Sequence, residues 1–257
     1  MTRSGIVTLT TDFTTRGGYV GAMRGVILAH DRSLTIADIT HDIEPFNILE
    51  GALTLRAAAR HFPTGTIHLA VVDPGVGGTR RAIIVEGSDG HFFVGPDNGL
   101  FTPFFEGGRV SRIDPERAAL ANLSATFHGR DLFAPVAARL AKGTDPADFG
   151  PAIDDPVRLD WPEPATEFDG WRGIVLTIDR FGNAITNLPQ SLASPGRTLM
   201  TSGREAIPIV RTYAEASRGT VVALVGSSGL IEVAVVEGSA GEVLELAVGS
   251  PVHLTKA

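Results

Sequence analysis

The 257-residue sequence contains no cysteine, which excludes disulfide bonds, thiolate nucleophiles and cysteine-ligated zinc. It has no apolar stretch near the roughly 18 residues that a membrane-spanning helix needs. Its start, "MTRSGIVTLTTDF", lacks the apolar core of a signal peptide. Basic residues number 22 against 29 acidic ones and form no stretch that would follow a phosphate backbone. These absences predict a cytoplasmic protein that binds neither nucleic acid nor membranes.

Several common site signatures are missing as well. The sequence has no G-x-x-x-x-G-K-[ST] phosphate loop, no G-x-G-x-x-G after its first strand, and no G-x-S-x-G nucleophile elbow. It has no H-x-x-H or H-E-x-x-H pair, so a metal site is not expected. The chemistry therefore has to come from other arrangements of polar residues.

Hydrophobic periodicity predicts alternating strands and helices in the first part of the chain. Strands are expected at 5–13, 34–40 and 66–72, and helices at 19–31 and 47–62. This β-α-β-α-β order favours a largely parallel sheet with right-handed crossovers. We therefore predict an N-terminal α/β sandwich domain.

The amino-acid composition of the chain changes after residue 150. Residues 151–170 are rich in proline and acidic residues, which predicts a linker. Beyond it, short apolar runs are separated by Gly, Ser and Asn, a pattern typical of antiparallel β-structure. The predicted domains are thus an α/β domain at 1–150 and a smaller β-barrel-like domain at 171–257.

The segment "VVDPGVGGTRR" (71–81) places Asp73 and Arg80 at the two ends of a glycine-rich bend. An ordinary surface turn with an ion pair is the simplest interpretation, because Asp-Pro-Gly is good turn chemistry. The apolar run before it favours a site, since ligands of open α/β sheets bind at the carboxyl ends of buried parallel strands. Asp12 and Asp97 close two other strand-like runs. We expect the three carboxylates on one sheet edge, where Asp12 suits a vicinal diol.

Three further segments combine turn chemistry with reactive or binding groups. His128 in "SATFHGRDLF" precedes a predicted helix, whose positive dipole end favours a neutral imidazole base, although a helix cap at Thr126 is the alternative. "IDRFGNAITN" (178–187) fits either a plain β-turn or an aromatic and amide grip on a heterocycle. "VGSSGLIE" (225–232) offers hydroxyl and N–H groups to a carboxylate or an amino group.

Seven segments, in order, resemble the SAM hydroxide adenosyltransferases, which are adenosine-forming S-adenosylmethionine (SAM) hydrolases related to fluorinase and chlorinase. They are "LTTDF", "DITHDIEPFNILEGA", "VVDPGVG", "VGPDNGLFTP", "TFHGRD", "DRFGNAITN" and "VGSSGLIEVAV". The resemblance runs from about residue 6 to the C-terminus. It implies the same two-domain fold, SAM as substrate without a cofactor, and a homotrimer. Each site would lie between the N-terminal domain of one subunit and the C-terminal domain of the next.

By motif match, the resemblance assigns a hydroxide-directing trio to Asp73, Arg80 and His128, where the halogenases carry different residues. It implies that Asp12 binds the ribose diol and that Phe46 takes a stacking position. The complete set of expected substrate-binding residues is Asp12, Phe46, Val76, Asp97, Asn98, Phe127, Asp179, Phe181, Asn183, Ser227, Ser228 and Glu232.

The implied reaction is SN2 attack of water or hydroxide at C5′ of SAM, with methionine leaving as a neutral thioether. Water, with a pKa of about 15.7, is a poor nucleophile, so a guanidinium would hold hydroxide while His accepts or relays a proton. Two alternatives stay open: a non-catalytic SAM- or adenosine-binding module, and halide-dependent transfer to C5′. The family's usual "TDFGTRDGYVG" reads "TDFTTRGGYVG" here, so Thr14 replaces a glycine and Gly17 an acid that can help hold the methionine end.

Overall fold

The computed structural model describes residues 3–202 and 204–255 and separates into two compact units, residues 1–160 and 161–257. Each unit has its own hydrophobic core. The division falls within the predicted linker, where a short strand at Ala152–Ile153 pairs in the first unit and a strand at Ala165–Glu167 pairs in the second. The sequence-derived domain boundaries stay a prediction.

The N-terminal unit is built on one seven-stranded sheet with the order β2-β1-β3-β5-β4-β6-β7. Strands β2, β1, β3 and β5 run parallel to one another, and β4, β6 and β7 join by antiparallel pairing. The strands are β1 (Ile6–Thr11), β2 (Thr35–Thr40), β3 (Ile67–Val71), β4 (Ala82–Glu86), β5 (Phe92–Pro96), β6 (Arg109–Ile113) and β7 (Ala152–Ile153).

Strand β3 lies at the centre of the parallel part, between β1 and β5. All five of its residues are buried, as expected for a strand covered on both faces. Its neighbours also run parallel to it, so the carboxyl ends of β1, β3 and β5 lie side by side on one edge of the sheet. The predicted α/β class of this domain is confirmed.

Helices cover both faces of this sheet. Val71 packs in the core shared with α1 and α4, whereas Val72 contacts Gly51 of α2, and adjacent strand residues point to opposite faces. The helices are α1 (Tyr19–His30), α2 (Ile48–Ala59), α3 (Pro115–Ala118) and α4 (Ala134–Ala141), with a π-helical turn at Gly129–Phe133 directly before α4.

The C-terminal unit is an antiparallel, barrel-like sheet with the order β12-β11-β15-β9-β10-β14-β13, with β8 pairing on β9. A hydrogen bond from Val210 N to Ala223 O links the segment after β12 to β13, which nearly closes the barrel. This confirms the predicted antiparallel β-domain. Its elements are β8 (Ala165–Glu167), β9 (Gly170–Ile178), β10 (Ala184–Pro189), β11 (Thr198–Thr201), β12 (Arg204–Pro208), β13 (Val221–Val225), β14 (Leu230–Val235), α5 (Ala240–Val243) and β15 (Pro251–Thr255).

Candidate active site

The glycine-rich bend after β3 is shaped by close packing as well as by turn chemistry. Gly77 has a φ of +75°, which L side chains rarely adopt, and a Cβ there would lie 2.2 Å from the carbonyl oxygen of Ala125. Only glycine fits both requirements. The bend can therefore pack against the segment that leads to His128.

Asp73 and Arg80 meet across this bend. Arg80 Nε lies 2.9 and 3.0 Å from the two oxygens of Asp73, and Nη2 lies 2.5 Å from Asp73 Oδ2. The two side chains are only 4% and 11% exposed. The Arg80 guanidinium also lies 5.2 Å from the ring centre of Phe133. The carboxylate therefore balances the positive charge of Arg80 and fixes the orientation of its guanidinium.

His128 joins this pair from a different part of the chain. Its Nδ1 lies 2.8 Å from Arg80 Nη2. An arginine can only donate, so Nδ1 accepts, and the neutral imidazole carries its proton on Nε2. Burial, then the positive charge of Arg80, lowers the pKa of His128 below its usual value. The arrangement thus keeps His128 neutral and offers an Nε2–H group.

The position of His128 depends on an irregular helix start. The predicted helix at 129–143 begins as the π-helical turn Gly129–Phe133 and continues as α4, which ends at Ala141. His128 caps the π-helical turn with helical backbone angles. Such turns are rare and often occur at functional sites. The π-helical turn has no side-chain hydrogen bond at its N-cap, so the alternative of a cap at Thr126 is not seen.

Asp12 and Phe46 lie together at the end of β1. The backbone N–H of Phe46 donates to Asp12 Oδ2 at 2.9 Å. Phe46 has a left-handed φ of 68° and is 68% exposed, an unusual conformation for a bulky residue. The following α2 helix is capped by Asn47, whose side chain accepts from Glu50 N. This cap follows directly on the loop that brings the Phe46 backbone to Asp12 and leaves the Phe46 ring exposed.

Asp97 and Asn98 also lie at this edge, but their polar groups are used within the protein. Asp97 is 3% exposed; Arg81 donates to its Oδ2 at 2.7 Å and Val157 N to its Oδ1 at 2.8 Å. Asn98 donates to Val72 O and accepts from Leu100 N. These contacts give both residues a structural explanation.

Val76 and Phe127 flank the trio of Asp73, Arg80 and His128. Val76 is partly buried inside the bend, and its N–H donates to Asp73 O at 3.3 Å. Phe127 packs edge-on against Tyr19 with ring centres 5.2 Å apart, and against Phe13 at 6.0 Å. Both residues therefore contribute apolar surface near the charged groups.

The C-terminal unit contains a pocket of about 1060 Å³ that includes Asp179, Phe181, Asn183, Ser227 and Glu232 in its lining. Asp179 Oδ1 accepts from the backbone N–H groups of Phe181 and Asn183, both at 2.9 Å. This is a tight turn, as the simpler interpretation of the motif predicted. The turn also exposes the Phe181 ring, which is 78% accessible.

Two carboxylates in this pocket share a hydrogen-bond network. Asn183 Nδ2 donates to Asp179 Oδ2 at 3.0 Å and to the Tyr213 hydroxyl at 3.3 Å, and Tyr213 donates to Glu232 Oε1 at 2.5 Å. Burial, then the charge of Asp179, raises the pKa of Glu232, although the bond from Tyr213 opposes this. The network fixes the Asn183 amide with its nitrogen toward the acids, because a carboxylate can only accept from it.

Ser227 and Ser228 lie in the turn between β13 and β14. Ser227 is exposed at the pocket wall, and Ser228 is partly buried beside it. A Cβ at Gly226 would lie 2.2 Å from Glu232 Oε2, so a larger residue here would displace the Glu232 carboxyl. The turn therefore places Ser227 in the wall of the pocket that Glu232 also lines.

Among the described residues, Glu167, Asp169 and His253 form one group whose ligand atoms lie within 4.8 Å of one another. His253 Nδ1 lies 3.3 Å from Glu167, its Nε2 lies 3.5 Å from Asp169, and Arg172 Nε lies 3.0 Å from Glu167. A metal ion bound by this group would have to compete with Arg172 for Glu167. None of the four lines the large pocket.

Comparison with known protein families decides the relationship of this chain. A family model described as the SAM hydroxide adenosyltransferase N-terminal domain matches residues 7–150, and the model of the C-terminal domain of the same name matches residues 173–253. The chain belongs to the SAM hydroxide adenosyltransferase family. The resemblance inferred from the sequence motifs is thereby confirmed.

Similar proteins include both branches of the wider family. An (R)-S-adenosyl-L-methionine hydrolase from Thermus thermophilus is 41% identical over 95% of this chain and 96% of that protein. One from Methanocaldococcus jannaschii is 38% identical over 94% of this chain and 92% of that protein. A fluorinase from Actinoplanes is 26% identical over 98% of both proteins.

The fold is also similar to solved structures. A protein from Thermotoga maritima superposes with a TM-score of 0.90 at 32% identity, covering 98% of this chain and 100% of that one. In residues 3–202 and 204–255, no helix has the length and apolar character needed to cross a membrane.

Two residues that support the site residues were not predicted from the sequence: Tyr213 and His41. Tyr213 belongs to a different segment from the motifs it contacts, and its signal is that it is one of only two tyrosines in the sequence. His41 lies inside the quoted "DITHDI" segment but was assigned no role. Its buried contact with Thr11 could not be read from the sequence.

Proposed function

We propose that this protein hydrolyses S-adenosyl-L-methionine to adenosine and methionine, with Asp73, Arg80 and His128 directing the nucleophile. The observation that carries the proposal is the contact among these side chains: a buried carboxylate holds the guanidinium, and the guanidinium donates to a neutral imidazole. Family membership and the hydrolases at 38–41% identity support the same reaction.

The proposed step is an in-line SN2 displacement. A hydroxide oxygen forms a bond to C5′ while the bond from C5′ to sulfur breaks, and its electron pair stays on sulfur to give methionine. The sulfonium charge is neutralised, so the leaving group needs no general acid. The proton that water lost is released to solvent.

The trio would stabilise the hydroxide by donating hydrogen bonds. Arg80 uses Nε and Nη2 on Asp73 and His128, which leaves Nη1 to donate to the nucleophile. The Nε2–H of neutral His128 supplies a second donor. Preorganised donors of this kind commonly contribute about 2.7–4 kcal/mol each to transition-state stabilisation. In this arrangement His128 is a donor, because its Nδ1 lone pair is engaged by Arg80.

The remaining residues would hold the substrate. Asp12 would accept hydrogen bonds from the ribose hydroxyls, and the exposed ring of Phe46 would cover the sugar. In the C-terminal pocket, Phe181 and Asn183 would contact the adenine, while Asp179 and the serines at 227 and 228 would hold the methionine end. Asp97 and Asn98 would act indirectly, by supporting the sheet edge.

We further propose the (R)-sulfonium epimer of SAM as the substrate, because the hydrolases similar to this chain carry that name. The reaction would need no cofactor. The assembly would be a cytoplasmic homotrimer in which neighbouring subunits complete each site. This last proposal is supported by the family resemblance, and sedimentation would test it: a fully active monomer would contradict it.

Product analysis in ¹⁸O-labelled water tests the reaction. We expect labelled adenosine and methionine in equal amounts, faster from the (R) epimer than from the (S) epimer. Unlabelled adenosine would contradict attack by solvent. Binding of SAM without products would support the non-catalytic module, and a 5′-halogenated nucleoside formed only with added halide would support halide transfer.

A further inference from the structure

A chain of contacting polar side chains lies next to the end of β1. Thr11 Oγ1 lies 2.8 Å from His41 Nδ1, and His41 Nε2 lies 3.2 Å from Asp38 Oδ1. Arg24 contacts the other oxygen of Asp38. Thr11 is completely buried and His41 is 4% exposed. The chain therefore runs from the surface of the N-terminal unit to the residue directly before Asp12.

The protonation of His41 follows from the groups on the two sides of its ring. Thr11 Oγ1 accepts from Phe13 N–H at 3.2 Å and also pairs with His41 Nδ1 at 2.8 Å. Asp38 Oδ1 lies 3.2 Å from His41 Nε2, a close contact that does not have hydrogen-bond geometry. The negative charge of Asp38 favours the tautomer with the proton on Nε2, in which Nδ1 accepts from the Thr11 hydroxyl. Burial opposes ionisation of Asp38, but the interactions with Arg24 and His41 outweigh it and keep the pKa of Asp38 below its usual value. A charged acceptor thus ends the chain.

His41 also binds the backbone on the far side of Asp12. Its carbonyl oxygen accepts from Thr14 N–H at 2.8 Å. Thr14 has a φ of 55°, a strained conformation for a β-branched residue that persists only where its surroundings enforce it. One residue therefore holds both positions that bracket Asp12 and Phe13.

The order carboxylate, imidazole, hydroxyl resembles a nucleophilic triad. Thr11 Oγ1 cannot act as a nucleophile, however, because the residue is fully buried and its oxygen is already used by Phe13 and His41. The geometry fits a supporting role for a neighbouring group. That neighbour is Asp12, whose carboxylate is partly exposed.

We propose that His41, held by Asp38 and acting through Thr11 and Thr14, is a positioning residue that presents the Asp12 carboxylate to a vicinal diol. This rests on the proposed function, in which Asp12 binds the ribose. Loss of the contacts of His41 with Thr11 and Thr14 would weaken binding of the ribose hydroxyls by Asp12. It would leave the contacts among Asp73, Arg80 and His128 intact.

The test compares a matched pair of variants at Thr11. Thr11→Val removes the hydroxyl at nearly constant shape, whereas Thr11→Ser keeps it. For each protein, calorimetry gives the dissociation constants of adenosine and 2′-deoxyadenosine. Charged hydrogen bonds predict that the parent prefers adenosine by about tenfold or more. We expect Thr11→Val to lower this ratio by about fivefold, and Thr11→Ser to stay near the parent value.

His41→Gln provides a second variant if Thr11→Val does not fold, and His61→Gln at an exposed site is its control. His41→Gln should lower the same ratio and raise KM for SAM, with kcat within about threefold of the parent. An unchanged ratio in both Thr11→Val and His41→Gln, in a parent that does discriminate, would overturn this inference alone. A parent that binds both nucleosides equally would instead overturn the proposed role of Asp12.

Discussion

Replacing Arg80 with lysine separates the charge of this residue from its geometry. Arg80 makes three contacts with Asp73, at 2.9, 3.0 and 2.5 Å, and one with His128 at 2.8 Å. A lysine keeps the charge but has no planar fork, so it cannot hold Asp73 and His128 while also donating to a nucleophile. We expect kcat to fall about 10²–10³-fold, the loss typical of one preorganised donor.

Protein stability should respond differently from turnover. In Arg80→Ala the Asp73 carboxylate, which is 4% exposed, loses its partner, and leaving a buried charge unpaired costs about 3–5 kcal/mol. Arg80→Lys still neutralises Asp73 and should lose much less. Urea unfolding, together with kcat and KM for SAM, measures both effects. The variant Arg139→Lys serves as control, because the Arg139 guanidinium donates to the Arg117 carbonyl and lies over the Phe149 ring, away from the trio.

The double variant Asp73→Asn/Arg80→Ala sharpens the test. Asp73 would act by orienting Arg80, so its loss should add little once Arg80 is gone. Additive losses in kcat would mean that the two residues act independently. An Arg80→Lys protein that is folded and retains kcat within about threefold would refute the proposed role of the fork, and the bend would then be a structural turn.

The strained backbone at Thr14, the buried imidazole of His68 and the hydrogen bonds of Tyr213 give three further predictions. Thr14→Gly should raise the free energy of unfolding by about 1 kcal/mol in urea titrations, because Thr14 has a φ of 55° that glycine adopts without strain; an equal or lower stability would contradict this. Burial, and then His91, lowers the pKa of His68 to about 3. The unfolded chain therefore binds a proton that the folded one does not, and stability should fall by up to about 1.4 kcal/mol per pH unit as pH drops from about 6.5 toward 3; a slope unchanged in His68→Gln would exclude this cause. Tyr213→Phe leaves Glu232 without its donor at 2.5 Å and should cost about 1–3 kcal/mol of stability, measured against the exposed-site variant Tyr19→Phe.

Local patterns were sufficient to predict most of the fold. The helix expected at 19–31 is α1, Tyr19–His30, because its apolar residues recur at helical spacing and Val20, Met23 and Ile27 are buried. The run at 66–72 is the buried central strand β3. The strand-like runs at 82–87 and 91–99, separated by the turn signal Ser88-Asp89-Gly90, predict neighbouring strands, and they form the antiparallel pair β4 and β5. The antiparallel pairing of β4 with β6 was not predicted, since it depends on contacts across the sheet rather than on local periodicity.

The site residues, like the strands, could be predicted where local patterns place them and could not be predicted where contacts distant in sequence decide. A parallel sheet brings the ends of adjacent strands together, so the sequence could place Asp12 and Asp73 on one edge. The partners of Asp97 could not be read in this way, because Val157 lies 60 residues further along the chain. The same limit applies to the contact of Arg80 with His128, which spans 48 residues and which only the family resemblance supplied.

Backbone strain in the N-terminal unit is concentrated around Asp12. Among the described residues of that unit, the non-glycine positions with positive φ are Thr14 and Phe46. The first is two residues after Asp12 and bonds to His41 O, and the second donates its N–H to the Asp12 carboxylate. Such conformations cost about 1–3 kcal/mol each and persist only where surrounding contacts enforce them. A plain strand end would not need them, so their position argues that the Asp12 carboxylate is held in a fixed orientation before a ligand arrives.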